Sequence, residues 1–269
     1  MSEQLLAYYR KHRQIVEEKL HASHDAGDVE AIHDFRTSIK RIRVVARLTD
    51  HLCDGAFDEQ QSLSELNALF RASGKLRDVQ VTKYLLNNLH DHDVDPISRI
   101  FDQRELKQRY KFEASLQAFP WQVFDRIEER LMETLDTCNA SEVKSAAIAL
   151  LEDYLHIISI LFHGDEDEKR MHKIRTKLKD INYLNNIFDE QLPVMDYIYI
   201  TLDRLRELGE LAGLWHDHFN LESKLGKYIA IDSDTLHREA LQEIKFRLKE
   251  KKEELFQEYC CILVNEMKV

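Results

Sequence analysis

Glycine and proline punctuate a chain more sharply than any other residues, and this sequence of 269 residues holds only seven glycines and three prolines. Sheet-rich chains place more of both at hairpins and crossovers. Their scarcity constrains the fold to helices joined by short connections. The apolar residues agree, recurring at helical spacing almost throughout. The pattern predicts helices near 3–22, 28–53, 58–73, 75–91, 96–117 and 121–137, with Pro120 as a breaker. A second series follows near 139–163, 166–189, 192–212, 214–228 and 232–266, with Pro193 in a helix first turn.

The two series match at a fixed offset. Sliding the sequence by 139 positions lays HDFRTSIKRI (33–42) on HKIRTKLKDI (172–181). His33 then meets His172, Arg36 meets Arg175, Thr37 meets Thr176, Lys40 meets Lys179 and Ile42 meets Ile181. The same offset pairs Gly74 with Gly213 and Asp78 with Asp217. Amphipathic helices share Leu, Lys and Arg by chance, but two separate segments agreeing on one offset point to a tandem duplication. The expectation is an all-α protein of two helical bundles, 1–137 and 138–269, related by pseudo-two-fold symmetry. Their junction falls near DTCNAS (136–141), and a basic groove is expected between or along them.

The net charge is −11, so the surface as a whole repels nucleic acid and anionic lipid, and a polyanion has to meet a local patch. AIHDFRTSIKRIRVVARLTD (31–50) is such a patch. At about 100° per residue, His33, Arg36, Lys40, Arg43 and Arg47 form one stripe. Ile32, Phe35, Ile39, Ile42 and Ala46 form the neighbouring strip, suited to the core. Like charges one turn apart each cost a helix a few tenths of a kcal/mol, roughly, so five in register require a counter-charge. Internal carboxylates can supply it, and so can a bound polyanion.

In the second copy His172, Arg175 and Lys179 keep the stripe, while Asn182 and Asn186 stand where Arg43 and Arg47 stand in the first. The first copy is therefore expected to carry more of any anion binding. A phosphate chain suits such a row, because arginine forks grip phosphate oxygens in pairs and lysines add point charges. A polyanion would also favour protonated histidine at the end of the row. No aromatic residue interleaves with these arginines along the helix, so base stacking has little support and phosphate without bases is favoured over nucleic acid.

At these residues the sequence resembles the CHAD family, the conserved-histidine α-helical domain. IHDFRTSIKRIRVVARL (32–48) matches its His-x-x-Arg-x-x-x-(Arg/Lys)-Arg-x-Arg pattern, and MHKIRTKLKDINYL (171–184) looks like the second copy. GKLRDVQV (74–81) and AGLWHDHF (212–219) are similar to its Leu-Gly-x-x-Arg/Asn-Asp segments. The resemblance spans essentially the whole chain. It implies two pseudo-symmetric bundles and a basic cavity that binds inorganic polyphosphate, in a binding module rather than an enzyme, needing no cofactor. Relatives are sometimes fused to a triphosphatase domain, for which this length leaves no room; the chain is thus expected to be a stand-alone member. The residues it implies for the ligand are His33, Arg36, Lys40, Arg41 and Arg43, with Arg47 on the same stripe, then His172, Arg175, Lys179 and Tyr183. Arg77 completes the wall, with His216 as its counterpart. The sequence departs from the family at Asp180 and Asn182, where basic residues are common.

Other readings stay open. Cys53, Cys138, Cys260 and Cys261 lack metal-type spacing, and an adjacent pair does not close an ordinary disulfide. With no secretory signal and no 18-residue apolar run, a cytoplasmic location is expected, with polyphosphate granules as the associated site. A metal site is opposed at His33 and His172 by their basic neighbours, though NNLHDHDVD (87–95), with His90, Asp91, His92, Asp93 and Asp95, is richer in ligand types. A phosphoryl-accepting histidine is a second alternative, since HDFRT places a basic residue three after a histidine. Hydrolysis lacks a Gly-rich phosphate loop, leaving Asp78 and Asp217 to orient an arginine or cap a helix. A scaffold in which the basic stripe pairs with acidic helices is the plainest alternative.

Overall fold

The structure is a computed structural model of the chain and describes residues 1–21, 27–88, 95–162, 168–188, 202–230 and 235–267. Among the described residues it is all-α, as expected, with no strand. In order the helices are α1 (Ser2–His21), α2 (Val29–Leu52), α3 (Glu59–Ser62), α4 (Ser64–Asn88) and α5 (Asp95–Gln117). There follow α6 (Val123–Asp136), α7 (Ala140–Phe162), α8 (Glu168–Ile187), α9 (Leu202–Ile229) and α10 (Thr235–Met267). No helix among the described residues is long and apolar enough to cross a membrane. The four cysteines form no disulfide.

Local chemistry explains the boundaries. Asp28 caps α2, its Oδ1 accepting the backbone N–H groups of Glu30 and Ala31 at 2.8 and 3.0 Å. Between α2 and α3 the chain turns through left-handed Asp54, Gly55 and Asp58, with φ of 50, 85 and 53°. Asp58 then caps α3 through Gln61 N–H. Pro120 separates α5 from α6, as predicted. In the connection from α6 to α7, Asn139 Oδ1 accepts from Ser141 and Glu142 N–H while Glu142 accepts from Asn139 N–H, a reciprocal capping box.

Two predicted breaks do not occur. α4 runs through Gly74, where helices 58–73 and 75–91 were expected to part, and α9 runs through Gly213, where 192–212 and 214–228 were expected to part. A single glycine costs a helix about 1 kcal/mol relative to alanine, which tertiary packing readily offsets. The segment 192–201, including Pro193, lies outside the described residues, as do His90, Asp91, His92 and Asp93.

The chain divides into two compact units of three segments each, cut differently from the halves 1–137 and 138–269. The first comprises Met1–Arg77, Leu106–Ile157 and Lys179–Val194; the second comprises Asp78–Glu105, Ile158–Leu178 and Met195–Val269. The division falls inside α4, α5, α7 and α8, so long helices serve both units.

In the first unit α1 packs on α2 and α6. Leu5, Tyr9, Phe35, Ile39, Ile42, Phe112, Phe124 and Leu131 are buried there. Tyr9 Oη donates to the Phe124 carbonyl at 2.7 Å, and Arg13 pairs with Glu17, Asp125 and Glu128 on the rim. In the second unit α9 packs on α10, and Leu85, Leu86, Phe101, Leu221, Leu225, Leu241 and Leu248 form a core cluster. Lys252 pairs with Glu222 at 2.6 Å across α9 and α10.

Candidate functional site

The predicted two-strip pattern of α2 holds. Ile32, Phe35, Ile39, Ile42 and Ala46 are buried, and beside them Arg36, Lys40, Arg41, Arg43 and Arg47 are half-buried while His33 is exposed. The basic row thus lies at the edge of the core of the first unit, where burial makes each charge costly unless it is partnered.

Arg36 and Arg43 meet the first half of α4. Arg36 Nη1 donates to the Phe70 carbonyl at 2.8 Å and to Ser73 Oγ at 2.9 Å. Its guanidinium lies 4.0 Å from the Phe70 ring centroid. Arg43 Nε donates to Asn67 Oδ1 at 2.8 Å, and its guanidinium lies 3.9 Å from the centroid of the same ring. One phenylalanine therefore carries two guanidinium contacts, which its π-electrons attract. Gly74 makes the approach possible, because a Cβ built there would stand 3.1 Å from Arg36 Nη1.

No carboxylate pairs with Arg43 among the described residues, and its two Nη groups make no hydrogen bond there. Desolvation, together with the positive charges of Arg47, Arg36 and Arg71, pushes its pKa down to about 10; Glu59 opposes this only in part.

Arg41 reaches the other side of α2. Its Nη1 lies 3.5 Å from His12 Nε2 and its guanidinium 5.6 Å from the Tyr183 ring centroid, while its buried Nε has no hydrogen-bond partner. Tyr183 is itself buried. His12 is fully buried, packed edge-on to Tyr8 at 4.5 Å. Desolvation, then Arg41 and Lys11, hold its pKa down to about 3. Arginine can only donate, so Nε2 of the neutral ring accepts, and Nδ1 carries the proton toward Ser38 Oγ at 3.3 Å.

Arg47 differs from Arg43, one turn before it. Its Nη1 donates to Asp180 Oδ2 at 2.7 Å and to Tyr154 Oη at 3.2 Å, and its Nε lies 3.3 Å from Glu59 Oε2. Burial opposes its charge, but Tyr154, Asp180 and Glu59 together hold the guanidinium more firmly protonated than usual. Arg47, expected as a ligand contact beside Arg43, has an internal counter-charge in Asp180 and Glu59.

His33 is held below the ordinary histidine range by partial desolvation and by Arg77, Lys40 and Lys179, against the pull of Asp34. The first unit thus assembles His33, Arg36, Lys40, Arg41, Arg43 and Arg77 with Lys179 and Tyr183 of the second motif. The remaining three expected residues belong to the second unit. There the rings of His172 and His216 lie 4.7 Å apart at 42°, Asn220 donates to His216 Nε2 at 3.0 Å, and Arg175 is half-buried. Asp78 and Asp217 sit inside α4 and α9, so neither caps a helix. Both instead support the charge of Lys224, which burial holds below its ordinary pKa. Among the described residues no group of three or more His, Cys, Asp or Glu could hold a metal ion.

Sequence reading missed Asn67, Phe70 and Ser73, the neutral partners of the row, and His12 behind Arg41. A signal for the first group exists: Asn67, Phe70, Gly74 and Arg77 follow the spacing i, i+3, i+7, i+10, which is that of His33, Arg36, Lys40 and Arg43. His12 carries no such signal.

The family model described as the CHAD domain matches residues 7–225. Two solved structures share the fold at 17% identity. One is the crystal structure of the CHAD domain from the plant Ricinus communis, with a TM-score of 0.73 over 98% of this chain and 90% of that one. The other is PptA from Streptomyces chartreusis, with a TM-score of 0.63 over 96% of this chain and 98% of that one. No curated protein matches by sequence.

Proposed function

The chain belongs to the CHAD domain family, and on that premise we propose that it binds inorganic polyphosphate through the basic row of α2, as a binding module rather than an enzyme. The observation that carries this reading is the setting of Arg43. A desolvated guanidinium without a direct carboxylate partner is costly, and here three further arginines act on it with the same sign. An anion reaching its Nη groups would offset all of these terms at once. Arg36, which donates to the Phe70 carbonyl and Ser73 Oγ, and Arg41, beside His12, continue the row of guanidinium groups along the helix.

Phosphate without bases suits this surface better than nucleic acid. Stacking needs an open aromatic face, and the Phe70 ring already has two guanidinium contacts. His33, at the exposed end of the row, gains a proton more readily when a polyanion offsets Arg77, Lys40 and Lys179, so ligand and protonation reinforce one another.

Calorimetric titration with long-chain polyphosphate tests the reading. Binding is expected at low salt, weakening steeply as salt rises, as for other ligands held by several phosphate contacts. Absence of binding at low salt overturns it.

A further inference from the structure

Resting on the polyphosphate reading of α2, we infer that Asp180 is a specificity-determining residue: by occupying Arg47 it ends the basic row at Arg43 and limits how many consecutive phosphates the helix can hold. Spacing alone extends the row to Arg47, one turn beyond Arg43. The partners do not. Asp180 is buried, and its 2.7 Å contact with Arg47 Nη1 is a charge-assisted hydrogen bond in a partly water-excluded setting. Tyr154 Oη shares that Nη group, and Glu59, delivered by the left-handed turn before α3, accepts from Nε at 3.3 Å and from Nη2 at 3.4 Å. The aspartate stands where a phosphate oxygen would have to stand.

The surface past this point reinforces the limit. Arg47 lines a cleft of about 410 Å³ together with Asp50, His51, Asp54, Gly55 and Leu150. Asp50 is fixed there by the backbone N–H of Asp58 at 2.8 Å. A phosphate chain continuing along α2 would lose the Arg47 fork and then meet two carboxylates. Asp180 thus turns the helical stripe of His33, Arg36, Lys40, Arg43 and Arg47 into a shorter ligand track.

Asp180→Asn keeps the shape and removes the closer of the two competing charges, leaving Glu59 on the Nε and Nη2 side. Its binding to linear polyphosphates of graded length, followed as a function of salt and beside the unaltered chain, provides the test. For chains long enough to pass Arg43 the variant is expected to bind about tenfold more tightly, the scale of one charge-assisted contact. The slope of log affinity against log salt steepens by about one, for one more phosphate contact. Short chains that end at Arg43 gain little and show no change in slope. The double variant Arg47→Gln/Asp180→Asn, which restores the original net charge, loses the long-chain gain. A gain equal at all lengths, no gain, or a gain that survives in the double variant overturns the inference while leaving the polyphosphate reading standing. If the unaltered chain binds none of the lengths at low salt, the polyphosphate reading itself fails, and the inference with it. Should Asp180→Asn alone unfold, the double variant and the length profile of the unaltered chain still decide between these outcomes.

Discussion

Arg43 and Arg47 are one helical turn apart on the same face of α2, and their surroundings are opposite. Arg43 is held by an amide oxygen and an aromatic ring, and burial, with its positive neighbours, pushes its pKa down to about 10. Arg47 is held by two carboxylates and a phenol, and its protonated form is reinforced. The difference lies in what is brought up against the helix. The first half of α4 offers Asn67, Phe70 and Ser73; α3 and the second half of α8 offer Glu59 and Asp180. Helical spacing decides where a charge points, and distant segments decide whether it is available to a ligand.

The largest test of this contrast lies behind Arg41, whose partner is the neutral ring of His12. His12 accepts from Arg41 only while it is neutral. Its folded pKa, about 3, is depressed below the unfolded value near 6.5. Its contribution to stability is therefore fully present above pH 6.5 and is lost as pH falls toward 3, amounting to about 5 kcal/mol over that range and about 3 kcal/mol by pH 4. Urea unfolding between pH 7 and 4 is expected to show this loss, and His12→Asn to flatten it. An unchanged pH profile in that variant would mean that protonating His12 does not disturb Arg41.

The contrast can be broken directly by replacing each arginine with methionine. Arg47→Met removes the 2.7 Å charge-assisted contact to buried Asp180 and is expected to destabilise by about 3 kcal/mol, with polyphosphate affinity little changed. Arg43→Met removes a desolvated charge that no carboxylate among the described residues partners. It is expected to leave stability equal or higher while affinity falls about tenfold, the scale of one lost charge-assisted contact. Thermal unfolding and calorimetric titration of both variants read the two axes. Similar behaviour of the two would remove the distinction on which the ligand track rests.

Much of the fold is legible in the residues because it rests on local rules. Scarce glycine and proline with helical periodicity specify the all-α class, and Asp28, Pro120 and Asn139 mark boundaries by chemistry that acts within a few residues. The buried strip of α2 follows from the same periodicity, as does the position of the basic stripe beside it. Partners arriving from far along the chain are not legible. Nothing in the spacing of α2 sets Glu59 and Asp180 against Arg47 or Phe70 against Arg36 and Arg43. Asp180 stands out as a departure from the family pattern, but its meaning needs the 2.7 Å contact. The two glycine positions mislead for a related reason: a residue that weakens a helix does not end it where packing from distant segments holds the helix together.

Gly74 gives the smallest and most discriminating prediction. In the middle of α4, alanine would strengthen the helix by up to about 1 kcal/mol, so a purely structural role predicts a more stable protein with unchanged binding. The added Cβ, however, would stand 3.1 Å from Arg36 Nη1 and 3.7 Å from its Cζ. The guanidinium must then shift by a few tenths of an ångström, against its bonds to the Phe70 carbonyl and Ser73 Oγ. Gly74→Ala is therefore expected to unfold at an equal or higher temperature yet bind polyphosphate about two- to threefold more weakly, as a partly misdirected charge-assisted contact would. Gly74→Val, with a bulkier side chain, should widen the binding loss. If both variants bind as the unaltered chain does, the neutral-partnered part of the row does not depend on where Arg36 is held. Phe70 would then be only a packing neighbour of the two arginines.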